Sequence, residues 1–134
     1  MIIWTDENAV VSYLIKGSQL LNGTGRQFNA DRASALAKAE FRRANNFRSM
    51  YNHAQLQGAE SYFGLTNLIT QPCLIIHGTD DKIWNYRHAS FLKNHLANST
   101  LITLEGAGHE LHEADWGKII AAATQHIISI PLRS

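Results

Sequence analysis

Four things are scarce or missing in this sequence: cysteine, a long apolar run, an excess of one charge, and any Gly-x-Ser-x-Gly. A single cysteine excludes an internal disulfide. It stands in Pro72-Cys73-Leu74-Ile75-Ile76, where it is expected to act as a small buried hydrophobe in a reducing, cytoplasmic setting. No segment approaches the ~20 apolar residues of a bilayer span, so a soluble protein with no membrane partner is expected. The start, Met1-Ile2-Ile3-Trp4-Thr5-Asp6-Glu7, has no basic region and no sustained apolar stretch, which reads against a signal peptide. Twelve Lys and Arg face eleven Asp and Glu, a net charge of +1. That balance gives no footprint for nucleic acid. The densest basic group, Arg42, Arg43 and Arg48, reads as a solvated helix face.

What is present falls into two halves. Residues 1–70 read as helices. Thr5 or Asp6 can cap a first helix whose apolar positions Val10, Val11, Leu14, Ile15 and Leu21 keep helical spacing. Asn22-Gly23-Thr24-Gly25 is a turn, and a second helix from Asn29 or Asp31 carries Ala33, Leu36, Ala37, Phe41 and Ala44. Further helical pieces cover Met50–Gln57 and the neighbourhood of Tyr62, Phe63 and Leu65. From residue 71 the pattern changes. Cys73–Ile76 is a continuous apolar run of the kind expected of a strand buried on both faces. A helix over Tyr86–Ala97, a second strand over Leu101–Leu104 and a terminal helix over Ala114–Ile130 follow. The fold class is α/β: a helical segment (1–70), then a parallel β-α-β-α unit (71–134).

A strand, helix and strand of one sheet run parallel through a right-handed crossover. Their carboxyl ends therefore share an edge, where open α/β sheets place their ligand sites. Asp81 follows the first strand, after His77-Gly78-Thr79-Asp80, and His109 follows the second, after Glu105-Gly106-Ala107-Gly108. A carboxylate accepting from imidazole Nδ1–H leaves Nε2 to take a proton from a nucleophile. Either residue alone reads as an ordinary loop residue. On successive strand ends, the two form two-thirds of a Ser–Asp–His charge system.

Leu74-Ile75-Ile76-His77-Gly78-Thr79-Asp80-Asp81 and Leu104-Glu105-Gly106-Ala107-Gly108-His109 resemble the C-terminal half of an α/β-hydrolase. The closest likeness is to the small-molecule esterase branch, with a helical cap before the last two strands. The resemblance implies a partial α/β-hydrolase fold with residues 1–70 cap-like. It selects Asp81 over Asp80 as the acid, three residues after the strand-end glycine, and His109 as the base. Trp116 also fits the pattern. One position departs from it: the family's proline four residues after the acid is Asn85 here.

No nucleophile elbow accompanies these residues. Gly17-Ser18-Gln19 falls inside an expected helix, and Cys73 opens a strand instead of ending one. Without a nucleophile and oxyanion donors, the two largest contributions to acyl transfer are missing. The expected function is a carboxylic-ester or related acyl hydrolase carrying acid and base only, inactive alone, with a small apolar ester-like substrate if complemented by an N-terminal hydrolase half. The alternatives are a non-catalytic module binding a small molecule or protein, and an unrelated α/β domain. Trp84, in the acid loop, is the expected substrate-binding residue; Phe47, Met50, Tyr51, Tyr62 and Phe63 read mainly as core. His109-Glu110-Leu111-His112-Glu113 has His-x-x-His spacing but no evident third ligand, so neither metal nor cofactor is expected. In the family's sheet a further strand flanks Cys73–Ile76. An open apolar edge there implies self-association into a homo-oligomer.

Overall fold

The structure, a computed structural model, describes residues 3–130, without the side chains of residues 59–61 and 63. Phe63, one of the aromatic positions noted above, therefore has its side chain outside the described residues. The chain divides into two compact units: Met1–Leu20 with Phe28–Ser61, and Leu21–Gln27 with Tyr62–Ser134.

In the first unit, α1 (Glu7–Leu21) starts where Asp6 Oδ1 accepts the Ala9 N–H at 3.1 Å. This side-chain oxygen occupies an amide that the helix itself cannot satisfy. Asn29 plays the same part for α2 (Ala30–Arg43), accepting from Arg32. Val10 and Val11 of α1 and Ala37 of α2 are buried, whereas Leu36 is 53% exposed. The expected third helix is a 3-10 segment, Phe47–Gln55, and another 3-10 segment covers Ala59–Leu68. Trp4 is the hub of an aromatic cluster with Tyr13, Phe47 and Tyr51, at centroid distances of 5.6, 6.5 and 5.8 Å. The Tyr13 and Tyr51 hydroxyls share a hydrogen bond.

The second unit holds the sheet. β1 (Cys73–Gly78) runs parallel to β2 (Ser99–Leu104), in register from Cys73 opposite Ser99 to Gly78 opposite Leu104. α3 (Tyr86–His95) is the crossover and packs on both strands, with Ala89 fully buried. A 3-10 turn, Glu113–Asp115, leads into α4 (Trp116–Ser129), which reaches β1. One expectation is corrected here. β1 is not buried on both faces; Cys73–His77 are half-buried and only Gly78 is buried. Cys73 is likewise half-buried, its thiol 3.3 Å from the Gln71 carbonyl. The covering layer is thin among the described residues: Ile120, Ile127 and Ile128 of α4 are 61–69% exposed.

The ladder also fixes which backbone groups face outward. Cys73 N–H donates to Asn98 O, and Thr79 N–H to Leu104 O. In a parallel pair alternate residues turn both groups to the partner, so the odd-numbered residues of β1 serve β2. The amides and carbonyls of Leu74 and Ile76 then face the far edge, where they find no partner among the described residues. On the far edge of β2 two carbonyls are covered: Lys93 Nζ donates to Ser99 O at 2.5 Å, and Lys118 Nζ to Thr103 O at 2.6 Å. Lysines are a common device for ending a sheet. No helix among the described residues is long and apolar enough to cross a membrane.

Candidate active site

Asp81 lies in the loop between β1 and α3, and its carboxylate is held from both sides. Oδ1 accepts the Ile83 and Trp84 amides at 2.8 and 2.9 Å, an Asx turn that fixes the side chain on its own loop. Oδ2 accepts from His109 Nδ1–H at 2.8 Å. Burial pushes the Asp81 carboxyl up, but the Trp84 amide, the His109 imidazole and the Ile83 amide together outweigh it, so it sits below its ordinary value. A carboxylate only accepts, so His109 donates from Nδ1, and it is Nε2 that the neutral ring would leave free to accept a proton. Asp81 is 5% exposed and His109 42%, so the carboxylate is enclosed and the imidazole opens outward.

His109 is placed by backbone pairing with a distant segment, Leu21–Gln27. Its amide donates to Leu21 O at 2.9 Å, Gly108 N–H to Asn22 O at 3.3 Å, and Gly25 N–H to Gly106 O at 2.9 Å. The two chains lie so close that a Cβ on Gly108 would fall onto the Leu21 carbonyl and the Gly23 nitrogen. Gly106 itself has φ +70°, a conformation open mainly to glycine. The two loops are also tied directly: Thr79 Oγ1 accepts Gly106 N–H at 2.8 Å, and Ala107 O accepts Asp80 N–H at 2.9 Å. Asp80 turns away from His109 to Thr24, whose hydroxyl and amide both donate to it. The Thr24 hydroxyl, then its amide, hold the Asp80 carboxyl below its usual value.

Asp81 and His109 share the wall of a cavity of about 220 Å³ with Trp84, His77, His88 and Leu111. Trp84 is 55% exposed and lies 5.2 Å, ring to ring, from His88. None of the lining residues carries a hydroxyl or thiol. Such a site can accept a proton at His109 Nε2 and stabilise the resulting imidazolium through Asp81, but it brings no nucleophile of its own. His112 is engaged elsewhere, with Nε2 on Gln27 O at 3.1 Å and Nδ1 accepting Ala114 N–H. No cluster of three or more metal-ligating side chains exists among the described residues. Trp116 Nε1–H donates to Leu111 O at 3.1 Å.

Sequence reasoning missed two features: His77, and the role of residues 21–27. His77 Nε2 is 2.8 Å from the Trp84 carbonyl and 3.5 Å from Asp81 Oδ2. A histidine ending an apolar strand was the available signal. For residues 21–27 it was the glycine pair at 23 and 25 facing a second pair at 106 and 108.

No protein-family model matches the chain, and no curated protein does. Among solved structures it is similar to that of a candidate lipase from Acinetobacter baumannii, at 19% identity and a TM-score of 0.57. The alignment covers 96% of this chain and 45% of that one, so the chain spans about half the length of the structure it matches. The likeness is one of fold alone: helices with a small parallel two-stranded sheet.

Proposed function

We propose that this chain carries the acid and base of a carboxylic-ester or related acyl hydrolase, Asp81 and His109, and is inactive without a nucleophile supplied by a complementary hydrolase half. The observation that carries the reading is the 2.8 Å hydrogen bond from His109 Nδ1–H to Asp81 Oδ2, at the shared carboxyl edge of two parallel strands. An enclosed carboxylate behind an outward-facing imidazole is the arrangement that general-base activation of a hydroxyl needs. Trp84 and Leu111 give the cavity an apolar side, which suits a small apolar acyl substrate. The second reading is a binding module that keeps the cavity without the chemistry. It is favoured by the absence of any hydroxyl or thiol from the lining.

A fluorophosphonate probe and a simple ester, applied to the pure chain, test the proposal. The expected result is no labelled serine and ester turnover no faster than free imidazole gives. Single-site serine labelling with matching loss of turnover overturns the claim of inactivity alone. An upstream reading frame encoding Gly-x-Ser-x-Gly supports the hydrolase reading over the binding module; an upstream frame without it favours the module.

A further inference from the structure

The chain has Asn85 where the resemblance implies a proline, so the acid loop lacks a ring that would stiffen it. Side-chain hydrogen bonds take that place. Asn85 caps α3, its Oδ1 accepting Arg87 N–H at 3.0 Å. The residue just before it, Trp84, is held by His77.

We propose that His77 is a positioning residue for the Asp81–His109 pair. The inference rests on reading that pair as the acid and base of the proposed hydrolase. His77 belongs to β1, and by the ladder alternation its amide and carbonyl both serve β2, so its backbone is fixed. Its ring lies edge-on to Tyr86, centroids 6.0 Å apart, and the Tyr86 hydroxyl is tied to Thr103 Oγ1 of β2 at 2.5 Å. The imidazole therefore has a firm support on the sheet. A carbonyl can only accept, so the 2.8 Å contact with Trp84 O puts the proton on His77 Nε2. Trp84 is then gripped at both ends: its carbonyl by His77, its amide by Asp81 Oδ1 at 2.9 Å.

The result is a relay of positions running from sheet to imidazole, to Trp84, to Asp81, to His109. His77 lines the cavity wall, but its Nε2 is bonded to the Trp84 carbonyl and not to the reacting imidazole. It sets where the Trp84 amide stands, and that amide helps set the carboxylate's angle toward His109. The 3.5 Å separation of His77 Nε2 from Asp81 Oδ2 is too long to compete with the 2.8 Å bond from His109. A mostly buried imidazole costs free energy unless its N–H is used, and here one bond uses it. An apolar residue could fill the same space but would leave the Trp84 carbonyl without its donor.

Proton NMR of the full chain tests this without any need for turnover. The hydrogen between His109 Nδ1 and Asp81 is expected as a strongly deshielded resonance, abolished by Asp81→Asn. His77→Gln places an amide N–H where Nε2 stood and is expected to keep the resonance near its original position. His77→Phe fills the space without a donor and is expected to shift the resonance upfield or lose it, with far-ultraviolet circular dichroism unchanged. An unmoved resonance in a folded His77→Phe overturns the role of His77 alone. Absence of any Asp81→Asn-sensitive signal in the original chain overturns the acid–base pair, and the role of His77 with it. Imidazole ¹⁵N shifts of the original chain supply a measurement that needs no variant: Nε2 protonated and Nδ1 bare is expected, and the opposite tautomer overturns the proposal.

Discussion

Arg26 grips Asp115 across 89 positions of sequence, Nε to Oδ2 at 2.7 Å and Nη2 to Oδ1 at 2.5 Å. The two side chains are 16% and 7% exposed, so the pair is shielded from water and from salt. It ties the segment that seats the His109 loop to the start of α4. Removing one partner of a buried pair strands the other charge, which typically costs about 3 kcal/mol. Arg26→Ala is therefore expected to lower the urea midpoint by that order and to weaken the deshielded Asp81–His109 resonance. Arg26→Lys keeps the charge but not the two-pronged geometry and should fall between. A variant with the original midpoint would show the pair to be ornamental.

Acid should unfold the chain through the same carboxylates. Asp115 is held below its usual value first by its bonds to Arg26, which outweigh the effect of burial. Asp81 is lowered as well. A carboxyl whose folded pKa is depressed contributes stability that is fully present above the unfolded value, about 3.9. That stability is lost as pH falls through the folded value. Equilibrium unfolding should thus show little change from these two groups between pH 7 and 5, then a steady loss below about pH 4. The gap between the original chain and Asp115→Asn should narrow over that same acid range. A gap that stays constant down to pH 2 would refute the assignment.

Much of the second unit was legible in the sequence, because strand, helix and strand leave strong periodic marks and both loops end in chemistry-bearing residues. Cys73–Ile76 and Leu101–Leu104 fall inside the observed strands, and Asp81 and His109 meet at their shared edge. What was not legible depends on partners far away in sequence. The half-buried state of β1 follows from how little covers it, which a run of apolar letters does not record. The seat of the His109 loop is made by backbone groups of Leu21, Asn22 and Gly25, and backbone groups are the same for every residue type. The helical piece expected over Met50–Gln57 is a 3-10 segment over Phe47–Gln55, because periods of 3.0 and 3.6 separate poorly over so short a stretch.

Gly108 tests that seat directly. A methyl group there would collide with the Leu21 carbonyl and the Gly23 nitrogen, both backbone atoms that cannot rotate aside. Gly108→Ala should force the two segments apart, costing about 1–3 kcal/mol as an overpacked site does. The His109 amide should then lose protection from hydrogen exchange relative to amides of α3. Gly117, with nothing within 4 Å of a built Cβ, is the matched control and should tolerate alanine. Equal behaviour of the two variants would contradict the close approach.

The open edge of β1 is the last expectation, and here we propose that a second copy of the chain covers it. The Leu74 and Ile76 backbone groups face outward without partners among the described residues, while on the other side of the sheet lysines cover the Ser99 and Thr103 carbonyls. Two such edges can pair antiparallel about a two-fold axis, each supplying the donors the other needs. A net charge of +1 offers little repulsion against that approach. Leu74→Pro is the discriminating variant. By the ladder alternation the Leu74 amide does not serve β2, so proline there should spare the β1–β2 pairing and remove only an outward donor. Sedimentation velocity at micromolar concentration should show a dimer for the original chain and a monomer of unchanged circular dichroism for Leu74→Pro. A compact monomer for the original chain would sink the proposal, and a dimer that survives Leu74→Pro would move the interface elsewhere.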